Sequence, residues 1–207
     1  NFFVNESLQN LNFKKAQTIS FKDIKNFNIN VKKNLVSKIA YILFTSGTTG
    51  KPKGVVIQKK SLENYVRWIT DKIKVNNDSI CSQIPSIGFD LSVADIYLSL
   101  CSGTKLVIPD SIDNIFPARW IKKKKITHIV CTPSLIDYII ASNQLNKRNF
   151  KDVKLIFFCG EPLYEGHVQK LFKANKNIKI INAYGPTEAT CSMTSCDINY
   201  RTAFFTN

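Results

Sequence analysis

Between Thr45 and Gly54 the chain reads Thr-Ser-Gly-Thr-Thr-Gly-Lys-Pro-Lys-Gly, a density of glycine, hydroxyl and lysine that points to anion binding. Gly47, Gly50 and Gly54 let backbone N–H groups approach an anion, Thr45, Ser46, Thr48 and Thr49 can donate to phosphate oxygens, and Lys51 and Lys53 bring charge. The segment reads as a phosphate loop able to wrap a polyphosphate. It is not the Gly-x-x-x-x-Gly-Lys-Ser/Thr loop of P-loop kinases and GTPases, because Pro52 stands where the second glycine is required and a strand pattern follows Gly54. A plain hairpin would need neither so many donors nor so long a connection. The cysteines at 81, 101, 131, 159, 191 and 196 form no Cys-x-x-Cys pair and have no interleaved histidine at ligand spacing, so neither a zinc site nor a redox dithiol is indicated. They read as free thiols of a reducing cytoplasm, four of them in apolar contexts.

Such a loop needs a scaffold, and the pattern from Ile39 onward supplies one. Short apolar runs of strand type, Ile39–Thr45, Val55–Gln58, Ser79–Ile84, Lys105–Ile108, Thr127–Cys131, Val153–Cys159 and Lys179–Asn182, alternate with amphipathic stretches. That alternation predicts an α/β domain with a largely parallel twisted sheet flanked by helices. Helices are expected over Ser61–Lys74, Asp90–Leu100, Ala118–Lys124, Pro133–Ala141 and Leu163–Ala174. Leu62, Tyr65, Val66 and Ile69 recur at helical spacing, Ser61 is placed to cap the first helix, and Asp90 and Ser92 stand at the start of the second. Lys122–Lys125 is a like-charge block that the C-terminal helix dipole accounts for without a ligand. Residues 1–38 are rich in Asn and Lys and read as a linker with one edge strand around Gln17–Phe21, followed by a single domain from 39 to 207.

The composition is that of a globular chain: 207 residues, 44% hydrophobic and 21% charged, which excludes collagen-like and low-complexity classes. No apolar run reaches the roughly 20 residues that span a bilayer, and Asn-Phe-Phe-Val-Asn-Glu at the start has no signal-peptide pattern, so a cytoplasmic location is expected. The net charge of +14 allows a polyanionic partner. It rests on 25 Lys against 4 Arg, however, and scattered lysines are not the arginine-led readout of nucleic acid, so no nucleic-acid partner is expected. The chain does not open on Met, and position 1 is read as an interior position of a longer protein.

Tyr41-Ile-Leu-Phe-Thr-Ser-Gly-Thr-Thr-Gly-Lys-Pro-Lys-Gly-Val55 resembles the AMP-binding signature of the adenylate-forming superfamily, which includes acyl-CoA synthetases, luciferases and the adenylation domains of non-ribosomal peptide synthetases. Phe89-Asp90-Leu91-Ser92 and Asn182-Ala183-Tyr184-Gly185-Pro186-Thr187-Glu188 resemble two further motifs of that superfamily in the same order, so the likeness runs from about Ile39 to about Cys196. Gly88–Tyr97, Thr132-Pro-Ser134 and Phe158-Cys-Gly-Glu-Pro-Leu163 are especially similar to the D-alanine:D-alanyl carrier protein ligases, with bacterial peptide synthetase modules close by.

The resemblance implies ATP-dependent activation of a small neutral amino acid, D-alanine-like, as aminoacyl-AMP, followed by transfer to the phosphopantetheine thiol of an acyl or peptidyl carrier protein. Asp90 would pair with the substrate α-ammonium, and the alternative for it is a plain helix cap. Leu91, Ala94, Val130, Phe157, Cys159, Ala183, Cys191 and Ser192 would wall the amino-acid pocket, an apolar lining with no further charge. Ala94 stands where the D-alanine ligases usually carry a larger Met, which would enlarge the pocket. Gly160, Glu161, Pro162, Asn182, Ala183, Tyr184 and Gly185 would hold AMP, with Tyr184 stacked on the base and Asn182 on its exocyclic amine. Thr187 would touch the α-phosphate and Glu188 would hold Mg²⁺.

The superfamily's catalytic lysine, in a small C-terminal domain, and its ribose-binding aspartate are expected beyond residue 207, and adenylation by this stretch alone is expected to be poor. Lys51 and Lys53 are read as partners of the β- and γ-phosphates instead. Two other readings stay open: an acyl- or aryl-CoA ligase acting on a carboxylate without an amine, and a non-catalytic nucleotide-binding fragment.

Overall fold

The structure, a computed structural model, describes residues 38–46 and 52–200, together with two short strands before them. The chain divides into two compact units, Asn1–Ser37 and Lys38–Asn207. In the first, β1 (Phe2–Phe3) pairs in parallel with β2 (Thr18–Ile19), which falls inside the edge strand expected around Gln17–Phe21.

The second unit opens with an antiparallel hairpin of β3 (Ile39–Thr45) and β4 (Lys53–Gln58). The segment between them is the one read as a phosphate loop, of which Gly47, Thr48, Thr49, Gly50 and Lys51 lie outside the described residues. β4 begins two residues earlier than its β-branched run, at Lys53, because Lys53 and Gly54 still pair with Thr45 and Phe44. The chain passes directly into α1 (Lys59–Ile73), which buries Leu62, Tyr65, Ile69 and Ile73. Ser61, expected to cap it, lies inside the helix, and the cap position is Gln58, whose side chain makes no capping bond.

Five parallel strands follow, in the order β9-β8-β7-β5-β6 across the sheet, with β10 antiparallel on the β9 edge. They are β5 (Ile80–Ser82), β6 (Lys105–Val107), β7 (His128–Cys131), β8 (Leu155–Phe158), β9 (Lys179–Tyr184) and β10 (Thr194–Ile198). The connecting helices are α2 (Leu91–Ser102), α3 (Ser111–Ile115), α4 (Pro117–Lys124), α5 (Pro133–Ala141) and α6 (Glu165–Ala174). Lys122, Lys123 and Lys124 lie in the last turn of α4, where the dipole favours positive charge, and Lys125 closes the helix in a left-handed conformation.

The strands alternate strictly between two cores. Ile129, Cys131, Ile156, Phe158 and Ile180 pack with Trp120, Ile136 and Leu171 of α4–α6 on one face. Val130, Leu155, Phe157, Ile181 and Ala183 pack with α1 and α2 on the other. Strands covered on both faces read as continuous apolar runs, which is why the sequence shows them so clearly. No described helix is long and apolar enough to cross a membrane.

Candidate active site

In a parallel sheet every strand delivers its following loop to the same edge, and ligands bind in the crevice that those carboxyl-terminal loops enclose. Here the loops after β5, β7 and β8 border a cavity of about 540 Å³, with Pro85, Phe89, Asp90 and Leu91 on one wall and Thr132, Ser134, Gly160 and Glu161 on the other. Of the expected amino-acid walls, only Leu91 joins Asp90 there. Leu91, Ala94, Val130, Phe157, Cys159, Ala183 and Cys191 meet one another deeper, in the core cluster beneath α1 and α2.

Glu161 bridges two loops. Its carboxylate accepts from the backbone N–H of Ser134 at 2.9 Å and from the Ser134 hydroxyl at 3.1 Å, so it caps the N-terminus of α5. Three residues on, Tyr164 donates its N–H to Nδ1 of His167 at 3.1 Å, while Nε2 of His167 bonds Asp137 of α5 at 2.8 Å. The Gly160–Tyr164 loop is therefore stapled to α5 at two points. Gly160 takes a φ of +95°, which suits glycine.

On β9, Asn182 is half-buried and Tyr184 is 68% exposed at the strand end, so its ring face is open. A Cβ on Gly185 would come within 2.6 Å of the Ser192 Cα, so the close approach of the 191–193 segment admits only glycine. Pro186 leads into a 3₁₀ turn, Thr187–Ala189, which places Glu188 Oε1 4.0 Å from Lys53 Nζ. The trailing end of the phosphate loop and the Thr187–Glu188 pair thus face each other.

Asp90 precedes α2 in helical conformation but makes no capping bond, contrary to the cap reading; Ser92 donates its hydroxyl to the Phe89 carbonyl at 2.7 Å. Its carboxylate makes no N-cap bond but lies against the Leu91 amide at the helix start. Burial pushes its pKa up, the Thr187 hydroxyl and Leu91 amide draw it down, and the charge of Glu188 raises it again. Asp90, Thr187, Glu188 and Lys53 accordingly share one electrostatic neighbourhood.

The deeper walls are not the purely apolar lining expected. Cys159 Sγ donates to the Cys191 carbonyl at 3.6 Å, and the Tyr65 hydroxyl donates to Cys191 Sγ at 3.2 Å. A hydrogen bond from the Cys191 thiol lowers the pKa of Cys159, and the same bond raises that of Cys191. Two phenols here were not singled out in the sequence. Tyr65 looked like one more apolar helical position, although a phenol in a core stripe always needs a partner for its hydroxyl. The other, Tyr41, buries a hydroxyl that has no hydrogen-bond partner among the described residues, and burial together with Cys191 and Asp90 raises its pKa.

A parallel sheet with a half-buried carboxylate at a helix start and a Tyr-Gly-Pro-Thr-Glu turn, preceded in the chain by a hairpin whose connection is rich in glycine, threonine and lysine, matches a known class, and the chain belongs to the AMP-binding enzyme family, whose model covers residues 5–204. It is similar to the D-alanine--D-alanyl carrier protein ligase of Lacticaseibacillus casei, with 35% identity over 76% of this chain and 32% of that protein. Surfactin synthase subunit 2 of Bacillus subtilis is 37% identical over 73% of this chain and 4% of its own length. Among solved structures, the Vibrio cholerae adenylation domain AlmE in complex with glycyl-adenosine-5'-phosphate matches with a TM-score of 0.75 and 32% identity, covering 81% of this chain and 32% of that one. The chain spans about a third of the length of the D-alanyl ligase it matches.

Proposed function

We propose that the protein activates a small neutral amino acid, D-alanine-like, with ATP as an aminoacyl adenylate, and that the acyl group then passes to the phosphopantetheine thiol of a carrier protein in the cytoplasm. The observation that carries this reading is Asp90: half-buried, making no capping bond, and beside Thr187 and Glu188. A desolvated carboxylate with no cationic partner among the described residues is suited to a substrate ammonium, and a carboxylic acid without an amine would leave it unpaired. The similarity to a D-alanyl ligase at 35% identity supports the same choice.

In this mechanism the substrate carboxylate oxygen attacks the α-phosphorus of ATP, the bond to the β-phosphate oxygen breaks, and pyrophosphate leaves. No side-chain nucleophile takes part, so the protein's work is positioning and charge compensation. Thr45, Ser46 and Lys53, with the rest of the loop, hold the β- and γ-phosphates; Thr187 donates to the α-phosphate. Tyr184 offers its exposed ring to the adenine, and Asn182 bonds the exocyclic amine. Glu161 serves this site through its backbone, because its carboxylate is occupied on α5. Mg²⁺ suits a site with a single exposed carboxylate, since with a nucleotide it takes one or two carboxylates plus phosphate oxygens; Glu188 would hold it, and it would neutralise phosphate charge. The +14 charge favours encounter with an acidic carrier.

Amino-acid-dependent exchange of pyrophosphate into ATP by the full-length natural protein tests the reading, with D-alanine, L-alanine, glycine, larger neutral amino acids and a fatty acid as the panel. Exchange with a small neutral amino acid, lost about 100-fold in Asp90→Ala as a stranded ammonium costs roughly 3 kcal/mol, is the expected result. Exchange with the fatty acid alone, or full activity in Asp90→Ala, would sink it.

A further inference from the structure

Tyr65 reaches from α1 into the cluster that holds Cys159, Ala183 and Cys191, and it is 5% exposed. Its hydroxyl donates to Cys191 Sγ at 3.2 Å, 126 residues away in the chain, and accepts from Ser192 Oγ at 3.5 Å. Cys159 Sγ in turn donates to the Cys191 carbonyl at 3.6 Å. A directed chain therefore runs from Ser192 through Tyr65 to the Cys191 thiol, and Cys159 is tied to the same residue through its backbone oxygen. The other side of the ring borders a surface cavity of about 390 Å³ that also touches Trp68, Glu188 and Ser192. The phenol is thus the partition between that cavity and the buried walls.

We propose that Tyr65 is a specificity-determining residue: its ring closes the floor of the amino-acid pocket, and its hydroxyl uses up the floor's hydrogen-bonding capacity, so the accepted side chain is small and lacks a hydrogen-bonding group. The inference rests on Asp90 anchoring the α-ammonium, which orients the side chain toward Cys159 and Cys191. Removing ring volume opens the partition and admits length. Removing the oxygen alone leaves Cys191 Sγ without its donor and Ser192 without its acceptor, two vacancies that a substrate hydroxyl can fill.

The test is the affinity of the sulfamoyl-adenosine analogues of glycyl-, alanyl-, seryl- and leucyl-AMP, measured by calorimetry on wild type, Tyr65→Leu and Tyr65→Phe. Wild type should prefer the alanyl over the leucyl and seryl probes. Tyr65→Leu should raise the leucyl-to-alanyl ratio at least tenfold; Tyr65→Phe should leave that ratio within twofold and raise the seryl-to-alanyl ratio about fivefold. A purely structural role would weaken all probes together and leave the ratios unmoved, and unmoved ratios overturn the inference. Should Tyr65→Leu fail to fold by circular dichroism, the seryl-to-alanyl ratio in Tyr65→Phe decides alone. Wild type that binds no probe overturns the Asp90 reading and this inference with it, whereas binding with unmoved ratios overturns this inference only.

Discussion

Asp95 sits on α2 with no exposure, and neither carboxylate oxygen makes a full hydrogen bond. Burial pushes its pKa from 3.8 up to about 8, against weaker pulls from the Ile96 and Ile84 amides, so the native state holds this acid protonated at neutral pH. Between pH 4 and 8 the folded chain binds the proton that the unfolded chain has released, and stability falls as pH rises through that interval. His128 acts with the opposite sign: burial lowers it from 6.5 to about 4, and stability is lost as pH drops through that range. From pH 6.5 to 8 only the Asp95 slope remains of these two, amounting to about 2 kcal/mol. Urea midpoints at pH 6.5 and 8 should therefore diverge in wild type and converge in Asp95→Asn; an equal divergence in both would refute the buried acid. Single residues were unevenly legible in the sequence. Asp90 stands out by motif, but that its carboxylate is free of capping depends on the helical conformation it adopts, which no pattern encodes. Tyr65 was hidden because its partner lies 126 residues away.

Elements were legible where burial is two-sided. β7 and β8 are buried at every position, and such strands appear as unbroken apolar runs. β10 exposes or half-exposes all five of its residues, and α3 buries none, so neither produces a periodicity to detect. The loop after β8 shows what the pattern omits. Gly160-Glu161-Pro162 reads as a ligand segment, yet the Glu161 carboxylate is a cap for the neighbouring helix. Glu161→Ala should cost about 1 kcal/mol in urea unfolding, and Glu161→Gln about half of that, because the amide oxygen keeps an acceptor but loses the charge. An unchanged midpoint in Glu161→Ala would show that the staple through His167 and Asp137 holds the loop alone.

Across the whole molecule the sheet is a partition between two cores, and β8 lies at its centre, bonded to β7 on one side and β9 on the other. Its four residues are 0–4% exposed, while Ile87 and Phe89 at the crevice rim are open to solvent. Exchange of backbone amide protons for deuterium should separate the two regions. The β8 amides have no local route to water and will exchange only when the entire domain opens, so their rate reports global stability. The rim amides will exchange through small local openings. A ligand that binds only the folded chain should then slow β8 by its full binding free energy, wherever it binds, and slow the rim only as far as the crevice closes on it.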